Sequence, residues 1–210
     1  MDVPYLEIVL FLFFAYFFYT KEKPKKIYFI LGAFFAALSI ALQLPILIME
    51  PYLEGYITQA AVSTIIVMIA SLVIMEIVKY FSLKRYLKTR SYKNGIFFGI
   101  GWVGMISIPY FSFIVYDLVL SYLSIPYHPQ ELIETTLPLW SFIFFFVINL
   151  AITVLVIFSV INKTKIYLIY ALIFSILVNT TLYETGGDII LQIVYFLFSL
   201  LIIFRYRLFG

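Results

Sequence analysis

The chain has no cysteine and a single histidine, His128, in 210 residues. The first absence excludes a disulfide framework, thiol chemistry and any Cys-ligated metal. The second excludes a zinc site built from several imidazoles. Charge is scarce too: Asp, Glu, Lys and Arg make up 12% of the residues and the formal net charge is +3. That is too weak a positive balance for nucleic acid, which is not expected as a partner. No low-complexity tract, coiled-coil heptad or soluble domain is visible. The first apolar run starts at residue 3 with no basic stretch before it and no small-residue cleavage site after it. This predicts a retained span and not a removed signal peptide.

What fills the chain is apolar. Hydrophobic residues make up 64% and aromatic residues 20%, with a mean hydropathy of +1.08. A soluble domain of this size cannot bury that much apolar surface, so part of it must face lipid. A crossing helix needs about 17–25 apolar residues. Seven runs approach or reach that length, at about 4–20, 27–49, 58–80, 95–118, 139–161, 166–182 and 189–204. Backbone cannot be left unpaired in lipid, so the spans should be helices. The expected architecture is all-α, a single seven-helix transmembrane domain over residues 1–210, multi-pass in the cell membrane. Zero cysteine in an Ile-, Lys- and Tyr-rich composition also points to a thermophilic archaeal source.

The breaks between runs alternate in sign. Lys21, Lys23, Lys25 and Lys26 fall in the first, Lys84, Arg85, Lys88, Arg90 and Lys93 in the third, Lys163 and Lys165 in the fifth, and Arg205 and Arg207 in the tail. With Lys79, these are all 14 basic residues, placed on one side. The other side carries Asp2, Glu50, Glu54, Glu131, Glu134, Glu184 and Asp188. The positive-inside rule then sets the N-terminus outside and the C-terminus in the cytoplasm. The basic third break, 82–94, is either this topology signal alone or also a site for anionic headgroups.

Polar residues inside the spans are the functional candidates, because each is costly in lipid. Glu76 and Lys79 are three apart at the end of the third run, on one helix face. They are either a structural ion pair near the cytoplasmic interface, with Lys79 snorkelling, or part of a site. Asn149 with Thr153, and Ser175 with Asn179, are spaced to share a helix side. They suit hydrogen bonds between helices. Gln43, just before Leu44-Pro45, is placed to satisfy backbone freed by the proline. Asp117 and His128 fall at the outer end of the fourth run and in the following loop, where solvated roles are expected. Tyr52, Tyr56, Tyr127 and Trp140 suit an interfacial belt. In FFGIGWVGM, residues 97–105, Gly99, Gly101 and Gly104 join Gly95 in small-residue faces that permit close helix approach.

Several of these stretches occur in an order that resembles the YhfC family of predicted intramembrane proteases. That family is related to the CAAX-type prenyl proteases and distantly to the seven-span scaffold subunit of gamma-secretase. GAFFAALSIALQLPIL (32–47) is similar to the family's second span. MEIVKY (75–80) falls where the family has two adjacent glutamates, two residues and an arginine. GIGWVGM (99–105) falls where it has a glycine-rich, histidine-containing motif. NLAITVLV (149–156) and ALIFSILVN (171–179) fall where it has a histidine-led run and then a histidine followed by an aspartate.

The departures from that pattern are systematic. Met75 stands in place of the first glutamate, leaving Glu76, and Lys79 in place of the arginine. Trp102, Asn149 and Ser175 occupy the three histidine positions, and Asn179 the aspartate position. The resemblance implies the fold and a remnant site made of Glu76, Lys79, Trp102, Asn149, Ser175 and Asn179. The substitutions imply lost activity. A glutamate-based hydrolase needs a carboxylate to activate water and further groups to stabilise the developing oxyanion. A large indole at 102 would partly fill the old site, its N–H bonded to an acceptor such as Asn149. The expected function is a non-catalytic scaffold or accessory subunit that binds a transmembrane partner or lipid, with no cofactor and no metal. The alternatives are an active hydrolase using Glu76 and a small transporter. The second alternative would need a polar pathway, where the midplane is poor in charge, and would be supported by inverted repeats, of which none is visible.

Overall fold

Seven helices and no strand make up the described residues of this computed structural model, which are 4–56, 60–87, 91–106, 139–184 and 188–209. The helices are α1 (Pro4–Glu22), α2 (Lys26–Tyr56), α3 (Ala60–Tyr86), α4 (Tyr92–Ile106), α5 (Leu139–Ile161), α6 (Ile166–Glu184) and α7 (Ile189–Phe209). Asp117, Tyr127 and His128 lie outside the described residues, as do the side chains of Tyr52, Tyr56 and Trp140. Three stretches are long and apolar enough to cross a membrane: Lys26–Ile46, Val62–Tyr86 and Ile143–Ile161. Shorter apolar helices cover Ile166–Thr181 and Ile189–Arg205.

Two helices run further than the apolar runs predict. The expected break at 50–56 is helical, and α2 continues through Pro45 and Pro51 to Tyr56. Proline removes one ladder donor, which a long apolar helix tolerates. Gln43 does not repair it, because its Nε2 is buried without a partner. The helix α3 continues past Lys79 to Tyr86. Lys84 and Arg85 in its last turn complement the negative end of the helix dipole, and Ser82 Oγ donates 2.6 Å to Val78 O. Lys79 is therefore well inside the helix.

Helix ends are closed by short local devices. Lys23 and Lys163 take left-handed conformations, φ 47° and 56°, just beyond α1 and α5, where glycine is the usual solution. Asp188 caps α7, its Oδ1 accepting from Ile190 N at 2.7 Å and Leu191 N at 3.2 Å.

The helix α5 is central, packing against α1, α3, α4, α6 and α7, while α2 packs on α3 and most extensively on α4. Glycine explains how α2 and α4 come together. A Cβ on Gly101 would overlap the Phe29 carbonyl, and one on Gly32 would overlap the Phe98 carbonyl and lie 2.9 Å from Trp102 N. The backbones themselves are in contact. The α4–α5 contact is different: a Cβ on Gly99 would meet Thr153 Cγ2 at 2.8 Å, and one on Gly95 would meet Ile157 Cδ1 at 3.0 Å. Gly104 is buried as well. The small-residue faces expected of the fourth run thus serve two different neighbours. One of those neighbours presents backbone and the other side chains.

The basic segments gather at one end of the bundle. Asn94 Oδ1 accepts from Lys25 N at 3.0 Å, joining the first break to the start of α4. Tyr28 Oη donates to Tyr86 O at 3.2 Å, joining the start of α2 to the end of α3. Tyr92 and Phe158, then Phe158 and Tyr167, place their rings 5.9 and 5.5 Å apart and bring in the α5–α6 turn. Away from the core, the outward faces are apolar: Phe34, Ile190 and Leu201 are each at least 60% exposed. Such broad exposed apolar faces suit lipid.

Candidate functional site

The helix α3 carries Glu76 and Lys79 one turn apart, so their side chains meet along one face. Lys79 Nζ lies 2.7 Å from Glu76 Oε1, and both side chains are fully buried. This differs from an interfacial pair with a snorkelling lysine. The physical reason is burial: Lys79 is enclosed by the bundle and has no exposed surface along which to snorkel. It turns instead to the carboxylate. The neighbours Met75 and Val78 pack on an apolar cluster that contains Trp102, Ile148, Ile152, Phe174 and Val178.

Trp102 completes the group from α4. The bare backbone at Gly32 lets the Trp102 main chain lie against α2. Its indole then covers the α3 pair, with Lys79 Nζ 5.1 Å from the ring centroid. A cation at that distance over an indole face is attracted by the ring quadrupole, more strongly when desolvated. Phe98, one turn earlier, stacks on the indole with centroids 6.0 Å apart. Lys79 is thus held by a carboxylate and a π face in surroundings that are otherwise apolar.

Moving each charge out of water costs several kcal/mol, about as much as close pairing returns. The pair is incompletely satisfied: Glu76 Oε2 and Trp102 Nε1 are both buried without a hydrogen-bond partner. The expected bond from the indole N–H to Asn149 is not made. Asn149 Nδ2 donates 2.9 Å to Phe145 O of its own helix, and Thr153 Oγ1 donates 2.9 Å to Asn149 O. Asn179 likewise donates 2.7 Å to Ser175 O, and Ser175 Oγ is buried without a partner. These residues were candidates for bonds between helices. An amide four residues after a free lone pair of its own helix reaches that carbonyl more easily than a neighbouring helix.

Of the six residues in the expected remnant, the structure brings Glu76, Lys79 and Trp102 together. Asn149, Ser175 and Asn179 make no hydrogen bond to them. Among the described residues, no three His, Cys, Asp or Glu side chains are grouped to hold a metal ion. Two polar contacts that cross between helices are not signalled in the sequence: Tyr28 to Tyr86, and Thr181 Oγ1 to Tyr195 Oη at 2.7 Å. Nothing in their spacing signals them, since each joins residues on different helices.

Chemically, the site holds one charged pair beneath an indole. Glu76 Oε1 is bound by Lys79, which leaves only the buried Oε2 to take a proton as a general base. An oxyanion needs donors aimed at a common point, and the two side-chain amides are both turned to their own backbones. Compared with family models, curated proteins and solved structures, the chain matches none.

Proposed function

We propose that the protein is a non-catalytic, multi-pass protein of the cell membrane that acts as a scaffold or accessory subunit for a transmembrane partner. The observation that carries this reading is the closed Glu76–Lys79 pair under Trp102. The carboxylate most suited to chemistry is spent on an internal ammonium, and an indole occupies the adjoining space. The pair is local to α3 and reaches α4 through the Lys79–Trp102 contact.

The same reading takes the bundle as seven spans with the N-terminus outside and the C-terminus cytoplasmic. The gathering of Lys25, Lys26, Lys84, Arg85, Lys93, Lys163 and Lys165 around one end supports it through the positive-inside rule. It also takes the chain as a YhfC-like relative whose ionisable positions have been exchanged. The resemblance rests on the order of the stretches 32–47, 75–80, 99–105, 149–156 and 171–179, and Met75, Lys79, Trp102, Asn149, Ser175 and Asn179 are its departures.

The test is purification from native membranes after mild crosslinking. A defined membrane partner should be recovered with the wild-type chain and equally with the Glu76→Met, Lys79→Met double variant, which leaves no unpaired charge. Recovery of the chain alone would overturn the reading. One observation favours a second reading, a hydrolase using Glu76: its Oε2 is unbonded. That reading requires Glu76→Gln to abolish a membrane-protein cleavage product.

A further inference from the structure

A cavity of about 560 Å³ lies between α1, α4, α5 and α7, away from the Glu76 group. Its body is apolar, walled by Phe18, Ile96, Ile100, Phe146 and Leu150. Its other wall residues include Lys21, Glu22, Ser91 and Lys93, all from the end of the bundle where the basic segments meet. The volume falls within the range of about 300–1,000 Å³ typical of ligand pockets. An apolar trough with a cationic polar end matches one class of molecule, an amphiphile with an anionic head.

We infer that this cavity binds one anionic glycerophospholipid, an acyl chain lying between α1, α4 and α5 and the phosphate held by Lys21 and Lys93. Lys21 and Lys93 are exposed, so both ammonium groups are open to a headgroup. Ser91 adds a hydroxyl donor at the same rim. Glu22 opposes the anion, yet the lining balance remains positive, and Lys23, Lys25 and Lys26 follow in the same segment. A transmembrane helix from a partner would leave these lysines without a counter-charge, which is why a lipid fits better. The site rests on the membrane reading above but not on whether Glu76 is inert.

The experiment is native mass spectrometry of the full chain in detergent, titrated with phosphatidylglycerol or phosphatidylcholine. The wild-type chain should retain one phosphatidylglycerol in preference to phosphatidylcholine. A basic residue near an anionic surface contributes about 1 kcal/mol, or about fivefold in affinity. Lys21→Gln and Lys93→Gln should each reduce the preference by about fivefold, and Glu22→Gln should raise it by a similar factor. Ile96→Trp, which fills the trough, should lower retention of both lipids. Equal retention of the two lipids by the wild-type chain would overturn the inference, as would an unchanged preference in the double lysine variant. Neither result would touch the scaffold reading, which is judged by partner recovery.

Discussion

Glu76 and Asn149 are both polar residues buried in long apolar helices, and they meet that difficulty in different ways. Asn149 returns its amide to Phe145 O, and Asn179 does the same with Ser175 O. Neither needs a second helix. Glu76 has no donor to offer its own backbone, so it depends on Lys79, and Lys79 in turn depends on the indole of Trp102 from α4. An amide can satisfy itself with its own backbone, whereas this carboxylate needs a second side chain, and the ammonium also meets an indole from another helix. The α3–α4 region is therefore the part of the bundle where single changes should propagate, and α5–α6 the part where they should not.

The largest expected effect comes from separating the pair. Lys79→Met leaves a buried carboxylate alone and should cost about 3–5 kcal/mol. Adding Glu76→Met should recover most of that loss, because a matched apolar replacement is often neutral. Thermal unfolding in detergent would show it; additive losses would mean that the two side chains do not act as a pair. Next come the glycines of the backbone contact. Gly101→Ala places a methyl against the Phe29 carbonyl, which cannot move aside as a side chain can. Its expected cost is about 3 kcal/mol, the upper end for overpacking.

Gly99→Ala meets only the Thr153 methyl and Leu150, so about 1–2 kcal/mol is expected. A larger loss for Gly99→Ala than for Gly101→Ala would reverse the distinction between the two faces of α4. The smallest effect should be Asn179→Leu, which removes a bond inside one helix and should change stability by about 0.6 kcal/mol or less. A loss as large as that of Lys79→Met would show that Asn179 supports another helix after all.

The helices were legible because apolar length is a strong signal, and α5 matches its predicted run of 139–161. Their ends were less so. The polar composition at 50–56 and 82–86 reads as a break, yet helix continues there. Composition reports where a segment leaves lipid, and hydrogen bonding decides where a helix stops. The snorkelling expected of Lys79 fails for another reason: the residue is enclosed by the bundle, and enclosure cannot be read from its own helix. Within the candidate site, the Glu76–Lys79 contact was readable since it is local. Trp102 over Lys79 was not, because it depends on how closely α2 and α4 approach at Gly32 and Gly101. The self-bonded amides were missed for a related reason: spacing shows that two residues share a face but not which way an amide turns.

The central claim is that Glu76 is structural. Its most direct test is the Glu76→Met, Lys79→Met double variant, expressed in the native membrane and compared with wild type. The comparison is of co-recovered partners and of membrane-protein cleavage fragments, both read by mass spectrometry. The account predicts a folded chain with the same partner and the same fragment set. A folded double variant that loses a fragment present with wild type would contradict it.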